Sequence, residues 1–366
     1  MTHLESLRPT DLKNETGTIV WDHGKSDVGY WTHGRSLEPA EVPNPFALTP
    51  VDAFFVCNEG DAADLDRHDW SVRVHGEVTQ EVKFSFDELA DLPQYEVPAW
   101  LECAGNGRRL FQDLDGYEIS PGQTPWLLNG MGLARWSGPR LRDVLEFAGI
   151  EAGANWVSPS GLDHGEGENG PPSMCLPLDK ALDDDTLVAL TMNGTPLARA
   201  HGGPARLLVP GWVGAYSVKW LGGLEVAAHW VPSWRANEFY VHRTPDGEIT
   251  GPITAHPVKS NLALDYPATL EAGSQQVNGI ARSGHGTIVE VKWRLNGGEW
   301  RLAELGTAVG RWAWMPFFFE VNLPAGSHQI ETCATDAVGN TQPAVQALHQ
   351  DGVLWNAITR HPIAAD

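Results

Sequence analysis

Cys103 ends the apolar run Trp100-Leu101-Glu102-Cys103 and is followed by Ala104-Gly105-Asn106-Gly107 and then Arg108-Arg109. Small residues let the backbone come close to a bulky group, and the arginines place fixed positive charge beside it. A thiolate between a strand end and such a loop suits a soft metal or a nucleophile. Taken alone, a single cysteine is more often a small core residue. A second cluster bears on the choice. His201-Gly202-Gly203-Pro204-Ala205-Arg206, Pro210-Gly211-Trp212-Val213-Gly214 and Ser217-Val218-Lys219 gather two cations, a histidine, a hydroxyl and glycine-bearing turns. Together these can hold an anionic phosphate. The chain has no Walker A or GxGxxG pattern, which disfavours an ordinary nucleotide site. A third stretch, Phe54-Phe55-Val56-Cys57-Asn58-Glu59, puts polar groups directly after a buried segment, where ligand loops often sit.

These residues need a scaffold, and 366 residues are too many for one small core. Sixteen tryptophans point to aromatic-rich interiors. The formal charge of -22 argues against nucleic acid, whose phosphates need a basic face, and favours cationic partners. The four cysteines, Cys57, Cys103, Cys175 and Cys333, form no CxxC or CxxCH, so structural zinc and covalent haem are disfavoured. Free thiols are expected over disulfides. Met1 to Lys13 has no apolar run, and no segment is long enough to span a membrane. The expected location is cytoplasmic for the chain as given, or periplasmic if it has been trimmed.

Three regions are expected along the chain. Residues 1–50 are polar with little periodicity and read as an extended arm. Residues 51–250 mix short strands and helices, an α+β pattern. Within them Ala53 to Cys57 reads as a short buried strand, Trp70 to Gly76 as a half-exposed strand, and Val97 to Leu101 as the strand leading to Cys103. Ser85-Phe86-Asp87-Glu88 is a capping box opening a short helix. A clearer helix is expected from Gly138 to Gly149, with Pro139 in its first turn. Beyond residue 250 the helix signals vanish, and residues 251–366 read as an all-β sandwich. Thr287 to Leu295 alternates, and Asn296-Gly297-Gly298 turns it into a hairpin. Trp312, Trp314 and Phe317 to Phe319 either fill this sandwich or bury a two-fold interface between subunits.

The chain resembles the sulfite oxidase family of molybdenum enzymes. The resemblance rests on Cys103-Ala104-Gly105-Asn106 followed by arginine, Ala134-Arg135-Trp136, Met192-Asn193-Gly194 through Pro196-Leu197, His201-Gly202 through Pro210-Gly211, and Val218-Lys219-Trp220-Leu221. It implies a molybdenum held by one molybdopterin and by the Cys103 thiolate, and a C-terminal immunoglobulin-like domain that dimerises. It implies cofactor contacts from Phe55, Val56, Cys57, Asn58, Glu59, Asp163, His201, Arg206, Ser217, Val218 and Lys219. Arg108 stands as a substrate-orienting arginine, Tyr240 as the family's active-site tyrosine and Trp126 as its pocket tryptophan. Electrons would leave to a separate acceptor such as a cytochrome c, since this chain carries no haem motif.

The departures concern the substrate. Cys57 and Asp351 stand where the family pattern has arginines around a small dianion; Glu59 replaces a histidine and Tyr216 an arginine. Each cation lost beside a dianion removes on the order of 1 kcal/mol or more of attraction. Oxidation of sulfite is therefore one expectation. A second keeps the metal and acts on a different sulfur or nitrogen compound. A third is a non-catalytic binding protein.

Overall fold

The computed structural model describes residues 47–58, 63–114, 117–120, 123–163, 173–244, 246–347, 349 and 351–366, with the backbone of strands Ile19–Lys25 and Trp31–Ser36. Both strands lie within residues 1–50, the stretch read from sequence as an extended arm. They pair antiparallel, and Trp31–Ser36 pairs in turn with Val56–Asn58. The strand expected at Ala53 to Cys57 is shifted to Val56–Asn58, because residues 51–54 form a turn that tucks Phe54 into the core. Glu59 lies outside the described residues.

Two sheets carry the central region. One, in the order Thr195–Pro196, Thr191–Met192, Met131–Gly138, Tyr95–Glu102, is antiparallel throughout. The other runs Val82–Ser85, Ser71–Gly76, Leu221–Ala227, Trp156–Gly161, Leu176–Pro177, with Ser71–Gly76 and Leu221–Ala227 parallel. The short helix Phe86–Asp91 starts at the expected capping box, Ser85 and Glu88 each bonding the other's backbone. The second helix is Leu141–Ala148, shorter than expected: Pro139 precedes the first turn and Arg140 is its N-cap. Leu141, Val144, Leu145 and Ala148 face the core, as their spacing requires.

The C-terminal region is all β. A four-stranded sheet (Lys259–Leu262, Gly273–Arg282, Met315–Leu323, Glu304–Leu305) and a five-stranded sheet (Ala268–Leu270, Arg360–Ala365, Gly326–Asp336, Ile288–Leu295, Arg301–Leu302) share one apolar core. Phe317 and Phe319 fill it, and Trp314 packs on Trp100 and Leu133 of the central region, so these three are interior residues. The alternation from Thr287 is broken by a bulge between Ile288 and Glu290, which turns Val289 out to solvent.

One buried charge cluster ties the two regions together. Glu102, the last residue of its strand, meets Lys259 Nζ at 2.9 Å and the Arg282 guanidinium, both from the C-terminal sheet. Asn106 donates to the same carboxylate at 2.8 Å, and its side-chain oxygen accepts from the Gly130 N–H. His256 donates to the Glu102 carbonyl at 2.9 Å; burial lowers its pKa to about 4, so it stays neutral. Against the cost of burial, Arg282 and then Lys259 hold Glu102 well below the usual carboxylate range. Glu102→Gln leaves two buried cations without their counter-charge. It is expected to cost about 3 kcal/mol or more of stability in a urea titration; a loss under about 1 kcal/mol would show that the cluster does not hold the regions together.

Candidate functional site: a cation-lined cleft at Cys103

Strand ends converge beside this cluster. Cys103 follows Tyr95–Glu102, Asp163 follows Trp156–Gly161, and Ser217 to Lys219 precede Leu221–Ala227. Cys57 and Asn58 come from Val56–Asn58, and Arg206 opens the strand Arg206–Leu208. Together they line one solvent-open cleft.

The Cys103 loop is fixed by its backbone. The Cys103 N–H donates to the Gly130 carbonyl at 2.9 Å, and Asn106 donates back to the Cys103 carbonyl at 2.9 Å. At Gly105 a Cβ would stand 2.4 Å from the Arg108 guanidinium folded over the loop, so a larger residue would have to displace that guanidinium. That guanidinium is buried and donates to the Asp351 and Thr124 carbonyls at 3.1 and 2.7 Å. The Cys103 thiol is lowered to about 7, first by a hydrogen bond from Cys57 and then, against burial, by Arg108, the Gly105 N–H and Trp126. It is thus a sulfur that readily ionises near neutrality.

The far end of the cleft is positive. Arg206 donates to the His201 and Ser217 carbonyls at 3.0 and 2.8 Å, while its Nε is buried with no hydrogen-bond partner among the described residues. Burial lowers Arg206 to about 9. Lys219 donates to Asn58 and to the Ala200 carbonyl, and burial followed by the Arg206 charge lowers it to about 7. Two cations lowered by burial in one cleft, Lys219 also by the charge of Arg206, suit an anion that would take up their charge. Gly202, at φ +98°, lets the chain pass the Lys219 stem, which a Cβ would meet at 2.8 Å.

Of the residues picked from sequence, Phe55, Cys57, Asn58, Cys103, Asp163, His201, Arg206, Ser217, Val218, Lys219 and Tyr240 line this cleft. Val56 points the other way along its strand and is buried. Trp126 is buried behind Phe55, ring edge to face at 6.1 Å. Arg108 sits behind the Cys103 loop. Tyr216 is wholly buried in the main core against Trp212, so the tyrosine at this position takes no place in the cleft wall. Asp351 contacts Arg108 through its carbonyl, and its carboxylate lies 4.0 Å from His349. Arg235 was not foreseen. It lines the cleft from the short π-helical turn Arg235–Phe239, and its charge is felt at Lys219. A single arginine after Trp234 carries no spacing signal that would single it out.

A molybdenum–pterin group fits what is present. Among the described residues no three His, Cys, Asp or Glu are grouped to hold a metal ion. Cys103 would be a lone protein ligand, so a metal there must bring its remaining donors with it, as a pterin dithiolene does. The unsatisfied Arg206 Nε and the depressed Lys219 match the phosphate of such a group, and Asp163 suits its ring N–H groups.

A family model described as "Oxidoreductase molybdopterin binding domain" matches residues 59–234. Sulfite oxidase of Gallus gallus is 35% identical, over 87% of this chain and 72% of that protein. Mitochondrial sulfite oxidase of Homo sapiens is 33% identical, over 87% of this chain and 62% of that protein. Sulfite oxidase of Arabidopsis thaliana is 30% identical, over 81% and 82%. The sulfane dehydrogenase SoxCD of Paracoccus pantotrophus shares the fold, with a TM-score of 0.81 over 100% of this chain and 92% of that one at 23% identity. A single ionisable sulfur, a phosphate-ready pair of cations and these relatives agree: the chain belongs to the sulfite oxidase family of molybdopterin-binding oxidoreductases.

Proposed function

We propose that the protein oxidises a small sulfur compound, with sulfite the first candidate, and passes the electrons to a separate acceptor. The observation that carries the reading is the Cys103 sulfur sharing one cleft with the buried pair Arg206 and Lys219. When bound, the molybdenum–pterin group supplies two-electron oxygen-atom transfer. The chain supplies position and charge. Cys103 gives the thiolate ligand. Arg206, Lys219 and Ser217 hold the phosphate, His201 and Asn58 flank it, and Asp163 accepts from the pterin ring. Tyr240 offers a phenol O–H at the cleft wall that can donate to a developing oxyanion. Arg108, locked to two carbonyls, biases the Cys103 end toward an anion without leaving its place.

A second reading changes only the substrate. Cys57 lines the cleft where the family pattern has an arginine, so this wall lacks one cation that a dianion would use. A less charged sulfur compound then fits better. Purified protein is expected to contain molybdenum and pterin in equal amounts. Cys103→Ser should abolish turnover with the pterin retained, and Lys219→Met should lower the pterin content; full molybdenum and pterin content and turnover in both variants would sink the assignment. With sulfite as donor and cytochrome c as acceptor, Cys57→Arg should lower the KM for sulfite about tenfold, the effect of roughly 1.4 kcal/mol. An unchanged KM would remove position 57 from substrate recognition.

The C-terminal sandwich is proposed to pair two copies of the chain. Val289 on the strand Ile288–Leu295, Trp300 just before the edge strand Arg301–Leu302, and Leu302 within it stand exposed on its five-stranded sheet. Sedimentation at micromolar concentration should give the mass of a dimer, and a monomer throughout would refute the pairing.

A further inference from the structure

Trp312 lies between the strands Glu304–Leu305 and Met315–Leu323 of the C-terminal four-stranded sheet, yet it bonds the central region. Its carbonyl accepts from the Trp100 N–H at 3.0 Å, and Ala99 pairs with it as a parallel bridge. Both contacts fall on the strand Tyr95–Glu102, which ends at Cys103. The indole Nε1 donates to the Asp185 carboxylate at 2.8 Å, and Arg311 meets the same oxygen at 3.3 Å. The ring lies on the Pro210-Gly211 corner: a Cβ at Gly211, φ +79°, would stand 2.4 Å from it. Lys180 closes the corner. Its ammonium donates to the Pro210 carbonyl at 3.1 Å, and it sits 5.0 Å from the Trp312 ring and 5.8 Å from the Trp212 ring.

That corner opens the loop that leads to Ser217 and Lys219. Trp212 packs edge-on against Tyr216 at 4.7 Å, and the Val209 N–H donates to the Ser217 hydroxyl at 3.1 Å, so the loop is closed on itself. Packed groups pass a displacement on, and a shift of the corner moves Ser217. We propose that Trp312 is a positioning residue that sets the spacing between the Cys103 sulfur and the phosphate-holding residues Ser217 and Lys219. The proposal rests on the reading of Cys103 as metal ligand and of these two as phosphate holders. One group must reach the sulfur and the grip together, so an error in their spacing costs binding even where each is intact. Trp312 joins the two parts, its backbone on the strand of Cys103 and its ring on the corner of the loop. It stands outside the cleft wall and acts only through what it holds. The backbone of residues 254–256 keeps the loop folded in its own right, since Val213 donates to the Thr254 carbonyl at 2.9 Å and His256 to the Gly211 carbonyl at 3.0 Å.

The test makes the full chain in cells that supply the molybdenum–pterin group and compares pterin per chain with the midpoint of unfolding in urea. Trp312→Ala is expected to fold and to carry about a tenth of the wild-type pterin. Trp312→Phe, which returns a ring over Gly211 without the N–H, should carry more than about half. Phe319→Ala is the control, because that side chain fills the sandwich core and stacks on Trp293 at 4.3 Å. It should lower the urea midpoint at least as far as Trp312→Ala does and leave the pterin content unchanged. Full pterin in Trp312→Ala, an equal loss in Phe319→Ala, or a Phe variant no better than Ala would each overturn the proposal. Should Trp312→Ala not fold, Trp312→Leu takes its place with the same outcomes. Wild-type protein that takes up no pterin in those cells would instead overturn the reading of the cleft, and the proposal with it.

Discussion

A carboxylate with almost no access to water stays charged only if cations replace its hydration, and Glu102 has two, Lys259 and Arg282. The cations come from strands of the C-terminal sandwich, the carboxylate from the strand that ends at Cys103. Apolar residues of equal volume could bind the two regions as tightly. What an ion cluster adds is direction. Lys259 must reach both Glu102 and the Asn106 carbonyl, and Asn106 must reach both Glu102 and Gly130. One arrangement satisfies all four bonds, and it fixes the first turns of the loop that carries the Cys103 sulfur. The sandwich is thus part of the site's foundation, whatever else it pairs with.

The cluster also has a net charge. One carboxylate faces two cations, and His256 is neutral, so a positive charge is left over close to Cys103; the Cys103 charge is in turn felt at Lys259. On the other side stand Arg206, Lys219 and Arg235. The interior around the cleft is therefore positive in a chain whose formal charge is -22. Cations concentrated inside, where the dielectric is low, attract an anion far more strongly than the same charges would on the surface.

The sequence revealed those parts of the fold in which local signals and tertiary packing agree. The capping box at Ser85, the apolar face of Leu141–Ala148 and the alternating strands of the sandwich all carry their own periodicity. Cys103, Arg206 and Lys219 were legible because their neighbours are glycines and cations in an unusual concentration. What the sequence did not announce was non-local. The strands Ile19–Lys25 and Trp31–Ser36 have polar, glycine-containing sequences and exist by pairing with each other and with Val56–Asn58. Tyr216 sits between two cleft residues in sequence, yet the turn Gly214–Tyr216 sends its ring into the core. Arg235 enters the cleft from a π-helical turn that no period announces.

The same contrast explains why the cofactor side of the cleft is easier to read than the substrate side. Arg206 and Lys219 are integral to the fold: they bond the carbonyls of His201, Ser217 and Ala200, so the loops that carry them could not close in their present form without them. A residue with that double duty leaves a long signature, since its glycines and its acceptors must be present too. Position 57 has no such duty. Its side chain alternates out of a three-residue strand into the cleft, and a thiol, an arginine or another group would leave the strand pairing unchanged. Substrate choice rests on side chains of this second kind, which can be exchanged one at a time while the metal ligand and its phosphate grip stay where the buried charges put them.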